Sequence, residues 1–156
     1  ELGYIGSSSK ILDEIPAGAA VDEANLTTVE DAKRFVTETG VDLFSPAIGS
    51  IHGALKSTHD PDLNIQRLKE INDAVNTPLV LHGGSGLTDE NFTKGIEVGL
   101  SIVHINTEIR IAWRDALKQS LLEGDQNEVA PYKILKGSAV SVEGVVRQRL
   151  KLFSKI

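Results

Sequence analysis

The chain has 156 residues, 40% of them hydrophobic and 24% charged, a profile that excludes disordered, fibrous and membrane classes and predicts one globular domain over 1–156. Sixteen Lys and Arg against 22 Asp and Glu leave a net charge of -6, which argues against a nucleic-acid or anionic-membrane partner. With no cysteine there are neither disulfides nor thiolate ligands, so any metal must be held by histidine and carboxylate. No charged-then-apolar leader opens the sequence and no run nears the roughly 20 apolar residues of a spanning helix, so a cytoplasmic location is expected. The chain contains no methionine and opens abruptly in ELGYIG, which reads as a strand end running into a turn, so part of a longer protein is expected.

After Glu1 to Tyr4, a Gly, Ser and Pro-rich stretch to about Glu23 reads as a long loop over a functional face. Thr27 and Glu30 have capping-box spacing, and Val29, Ala32, Phe35 and Val36 form one apolar stripe, which predicts a helix to about Thr39 stopped by Gly40. Val41 to Ile48 is a near-continuous apolar run, as in a strand buried on both faces of a parallel sheet. Ile65, Leu68 and Ile71 mark a second helix, and Pro78 to Leu81 a second buried strand ending at His82. Thr88 caps a third helix over Asp89 to Val98, with Asp89 and Glu90 in the first turn, where the helix dipole favours them. Leu100 to Ile105 is a third strand, followed by a helix with Ile109, Ala112, Trp113, Ala116 and Leu117 on one face. A last helical region over 131–156, interrupted near Gly137, carries Val142, Val145, Val146, Leu150 and Phe153 as a stripe, and forms an extension to the βα units of 1–130. Strands alternating with single helices imply right-handed βαβ units and a parallel sheet, and both an open Rossmann-like sheet and half of an eight-stranded barrel fit the count.

His52 and His82 occupy matching places in consecutive units, each beyond a buried strand and each followed by glycine. Imidazole suits zinc and similar cations, and a catalytic site takes three protein ligands, so two histidines are one short. His59, in the polar STHDPD segment, reads as a solvated loop residue instead. HGGSG at 82–86 sets unhindered backbone amides ahead of a capped helix, either as a phosphate cradle or as a tight turn that needs glycine. In HINTE, the period of two puts His104 and Asn106 on one face, and Thr107 opens the next helix as either a phosphate contact or an ordinary cap.

Taken together, ELG, SPAIGSIHG, PLVLHGGSGL and INTE in this order resemble the class II ketose-bisphosphate aldolases, the metal-dependent family acting on fructose or tagatose bisphosphate. The resemblance implies an α/β fold, a (β/α)8 TIM barrel of which this chain supplies about the last four βα units and the C-terminal helices. It implies that His52 and His82 are two of three metal histidines, with Glu1 beside the metal as ligand and catalytic group. Gly53, Gly83 and Ser85 then bind the ketose phosphate, Thr107 adds a contact, and Lys56 serves the same end of the site. His104 stands where the family's substrate-binding asparagine is expected, with Asn106 at the neighbouring same-face position. The implied cofactor is Zn2+ or another divalent cation, with a monovalent cation as a possible companion. The implied reaction is reversible cleavage of a ketose 1,6-bisphosphate to dihydroxyacetone phosphate and glyceraldehyde 3-phosphate, by a homodimer or homotetramer. The third histidine and the proton-donating aspartate are expected upstream of Glu1. Two other readings remain open at this point: a non-catalytic phospholigand-binding or assembly module of the same fold, and another phosphate-binding barrel enzyme such as an isomerase, which needs no paired histidines.

Overall fold

The structure is a computed structural model, and it describes residues 1–56 and 59–154. The chain forms two compact units, Glu1–Ile105 and Asn106–Ile156. Of the polar 57–62 segment, Ser57 and Thr58 lie outside the described residues.

In the first unit the expected long loop carries a short strand β1 (Ile11–Leu12) and a 3-10 turn at Glu23–Asn25. Helix α1 (Val29–Thr39) follows, capped one residue later than the spacing predicts. The Thr28 hydroxyl accepts from the Asp31 amide at 3.0 Å and donates to its carboxylate at 2.8 Å. Thr27 has a long-range role instead: its hydroxyl donates to the Leu2 carbonyl at 2.8 Å and accepts from the Ala47 amide at 2.9 Å. Gly40 ends α1 in the left-handed region at φ 64, as its position predicts.

The apolar run 41–48 is buried from Phe44 onward but is not a continuous strand. It makes two isolated parallel bridges, Leu2 to Pro46 and Phe44 to Leu79. Proline explains the interruption, because Pro46 has no N–H to add to a ladder. The bridges use alternate residues: Leu2 donates to the Ser45 carbonyl at 3.0 Å, and Ala47 donates back to Leu2 at 2.9 Å. After a parallel β2 (Ala54–Leu55) paired with β1 come α2 (Ile65–Ala74), β3 (Leu79–Leu81), α3 (Asp89–Glu97) and β4 (Leu100–Val103). Asn64 and Thr88 cap α2 and α3 with their side chains. Strands β3 and β4 pair in parallel, with Leu81 opposite Val103 and an irregularity between Leu79 and Val80.

The pairings lay the Leu2 stub, the 44–46 segment, β3 and β4 side by side in chain order, all parallel. This is the α/β pattern of successive βα units. Phe44, Ile48, Ile51, Leu68, Ile71, Leu79, Leu81 and Phe92 are fully buried around these segments. At about 1.5–3 kcal/mol per buried side chain, this cluster is the main cohesive term of the unit.

The second unit contains α4 (Thr107–Glu123), α5 (Pro131–Ile134) and α6 (Lys136–Ser154), with α6 packed on α4. The helical break falls at Leu135 rather than near Gly137, which lies inside α6. A Cβ at Gly137 would stand 3.3 Å from the Ser120 hydroxyl, so this glycine serves close approach of two helices. Of the five residues of the forecast stripe, Val142, Val145 and Phe153 are partly covered, whereas Val146 and Leu150 are 37% and 62% exposed. The neighbouring Arg149 is partly buried instead and grips Glu108 with two hydrogen bonds of 2.7 Å. No described helix is long and apolar enough to cross a membrane.

Candidate functional site

Glu1, His52 and His82 converge, with one ligand atom from each lying within 4.8 Å of the others. His52 is fixed twice, its amide donating to Ile5 O at 2.8 Å and its Nδ1 lying 2.8 Å from Gly6 O. A carbonyl can only accept, so Nδ1 carries the proton and the Nε2 lone pair is left for a cation. His82 follows β3 directly, and its Nδ1 lies 3.0 Å from Glu1 Oε1. That hydrogen bond is the main reason the Glu1 carboxyl sits below its ordinary range; partial burial opposes it, and the fields of His82 and His52 reinforce it.

The His104 ring stacks on the His82 ring, with centroids 4.8 Å apart and planes 20° from parallel. His52 lies on the same cluster, its ring 6.1 Å from that of His82. His104 itself is exposed, and its amide donates to Leu81 O at 2.9 Å.

In the loop after His82, Gly83 has φ 66 and Gly86 has φ 132, both in the region that favours glycine. A Cβ on Gly83 would lie 2.4 Å from the Ile51 carbonyl oxygen, so the chain leading to His52 and the loop leaving His82 touch backbone to backbone. Gly53 is similarly confined, at φ 111 with a Cβ site 2.8 Å from Lys10 O. Ser85 is buried at the end of this loop. The loop therefore has the tight-turn requirement for glycine, and its amides precede the N-terminus of α3, where an anion is favoured.

Lys56 is exposed, its ammonium 3.8 Å from Asp13. His59 is exposed, as expected. Asn106 and Thr107 begin the second unit: Asn106 occupies the N-cap position of α4 without a side-chain capping bond, and Thr107 is buried in the first turn.

Asp60 is the group that sequence reading passed over. Its residue is 4% exposed, Oδ1 accepts from the Leu55 amide at 2.9 Å, and Oδ2 has no hydrogen-bond partner among the described residues. A Cβ on Gly86 would come within 2.4 Å of Oδ2, so this carboxyl lies against the glycine loop. Burial pushes its pKa up to about 6, against the Leu55 hydrogen bond and the field of His59. A pKa raised by folding means that the proton stabilises the fold: the contribution is complete below the unfolded value near 4 and is lost as pH rises through about 6. Asp60→Asn is therefore expected to be more stable than the parent by about 1–3 kcal/mol at pH 7.5, with the gap closing by pH 4. Parallel urea titrations would measure it, and a gap independent of pH would refute the assignment.

The family profile for fructose-bisphosphate aldolase class-II matches residues 1–156. The chain belongs to this family. It is 37% identical over 151 residues to the 6-phospho-5-dehydro-2-deoxy-D-gluconate aldolase of Shouchella clausii strain KSM-K16, covering 97% of this chain and 49% of that one. Among solved structures, the YdjI aldolase from Escherichia coli K12 superposes with a TM-score of 0.71 at 32% identity, over 83% of this chain and 46% of that one. The fructose-bisphosphate aldolase of Campylobacter jejuni matches with a TM-score of 0.68 at 19% identity, over 90% and 49% of the two chains, a likeness of fold alone. The chain spans about half the length of these relatives. Class II aldolases are generally metal-dependent lyases acting on phosphorylated sugars, and two imidazoles with one carboxylate are a donor set of catalytic zinc sites.

Proposed function

We propose that this chain is the C-terminal half of a (β/α)8 barrel that, in the full-length protein, cleaves a phosphorylated ketose by a metal-dependent retro-aldol reaction. The convergence of Glu1, His52 and His82 within 4.8 Å carries the reading. Those three residues would hold the cation, Zn2+ or another divalent ion. When bound, it supplies Lewis acidity toward the ketone oxygen and offsets charge that develops as the carbon-carbon bond breaks.

The chain's own residues do the rest. His52, with Nδ1 committed to Gly6 O, presents one defined nitrogen. Glu1, kept ionised by His82, places a carboxylate where a proton or a cation is to be held. The amides of Gly53 and Gly83 and the Ser85 hydroxyl would seat the phosphate, with Lys56 as a further contact. Fixing the phosphate converts remote binding energy into orientation of the reacting carbons. No lysine Schiff base is needed.

The substrate class is a ketone flanked by a phosphorylated methylene. That half is common to fructose and tagatose 1,6-bisphosphate and to the phosphate named for the Shouchella clausii relative. Cleavage beyond the adjacent carbinol releases dihydroxyacetone phosphate in each case, and for the hexulose bisphosphates also glyceraldehyde 3-phosphate. Both edges of the parallel segment set, the Leu2 stub and β4, are unpaired among the described residues, which supports completion by further strands. Leu121, Leu122, Val129 and Tyr132 are exposed, which supports a homodimer or homotetramer; a cytoplasmic location goes with this reading.

The test is cleavage of fructose and tagatose 1,6-bisphosphate by the full-length protein, before and after dialysis against a chelator. Activity is expected to fall to background and to return with added Zn2+. Turnover that survives complete metal removal would reject the mechanism.

A further inference from the structure

We infer that His104 is a positioning residue for His82, its imidazole lying flat on the His82 ring and holding that ring's nitrogen on the Glu1 and His52 cluster. The inference rests on reading Glu1, His52 and His82 as a metal site. The reason lies in the sheet. Leu81 pairs with Val103, and the His104 amide continues the pairing onto Leu81 O, so positions 82 and 104 come next in register. Side chains at matching positions of neighbouring parallel strands leave on the same face, about 4.8 Å apart. The observed ring separation of 4.8 Å is that strand spacing, carried from backbone to side chain.

His82 needs such a support. His52 has a backbone carbonyl to fix its ring, whereas the His82 Nδ1 partner is the side chain of Glu1, which is itself half exposed. A carboxylate on a flexible stem limits the ring less than a carbonyl in the main chain. A second ring against its face resists rotation out of plane, and offset stacking of this kind adds attraction beyond the area it covers. His104 is exposed, so its replacement leaves the buried core untouched. The stack is a role for a flat ring rather than for a particular nitrogen, and this distinguishes it from ligation or substrate contact.

The experiment uses the full-length protein with Zn2+ as the probe, in competition with a chromophoric chelator, on the parent, His104→Ala, His104→Phe and His82→Ala. Zinc affinity is expected to fall about tenfold in His104→Ala and to stay within about threefold of the parent in His104→Phe. In Co2+-loaded protein, the visible d–d band should move in His104→Ala and be restored in His104→Phe. Parent-like zinc affinity in His104→Ala overturns the inference, and so does a His104→Phe variant as weak as His104→Ala. If zinc binds the parent and His82→Ala equally, the metal reading fails and this inference fails with it; if only His82→Ala loses zinc, the metal reading stands and the His104 variants decide.

Discussion

His82→Ala in the full-length protein is expected to lose its bound divalent cation and about three orders of magnitude in cleavage rate. One substitution removes three things: a nitrogen at the cluster, the hydrogen bond that holds Glu1 at 3.0 Å, and the ring on which His104 stacks. A Lewis acid at a reacting oxygen contributes several kcal/mol, and each 1.36 kcal/mol or so is tenfold in rate. The Glu1 carboxyl should also return toward its ordinary range, since the hydrogen bond from His82 is the largest influence lowering it. His52→Ala should cost a similar factor in rate while leaving the Glu1 to His82 pair intact. Metal content by atomic emission, beside rates on fructose 1,6-bisphosphate, separates the variants. Full occupancy in both would reject the ligand assignment.

Gly83→Ala is expected to destabilise the protein by about 2–5 kcal/mol and to raise KM for phosphorylated substrate. The backbone at φ 66 costs a side chain about 1–2 kcal/mol, and the added methyl would meet the Ile51 carbonyl oxygen at 2.4 Å. Forced overpacking costs a further 1–3 kcal/mol or so. Main chain cannot swing aside as a flexible side chain does. Relief therefore requires the glycine loop or the segment before His52 to shift, and either moves a candidate metal ligand and the amides that would seat phosphate. Urea midpoints and inorganic phosphate affinity would show both effects. A variant with parental stability would mean that the contact is not the constraint inferred from it.

Much of the local architecture was legible because its signals act within one or two turns. Gly40 ends α1 by its left-handed φ, Thr88 caps α3 by its hydroxyl, and Ile65, Leu68 and Ile71 mark α2 by their period. The failures were of two kinds. Pro46, within an apolar run that reads as strand, removes a ladder donor and leaves bridges in place of a continuous element. Thr27 has the right spacing for a cap but meets Leu2 and Ala47, partners that no local pattern names. The neighbouring Thr28, with Asp31 three residues on, takes the cap.

The same division runs through the site. Sequence by itself determined that two histidines stand beyond buried segments in consecutive units, that glycine follows each, and which family the motifs resemble. Only the tertiary structure decided that Glu1 meets His82 across 81 residues, that one Asp60 oxygen, without a hydrogen-bond partner among the described residues, lies against Gly86, and that His104 covers the His82 ring. The physical reason is register. Residue type and spacing act over a few positions, whereas the neighbour of a strand-end side chain depends on which rung its strand pairs at, and a slip of one residue would send that side chain to the other face. That choice is made by the pairing of Leu81 with Val103 after the irregularity at Leu79 and Val80, and by the packing that holds it there.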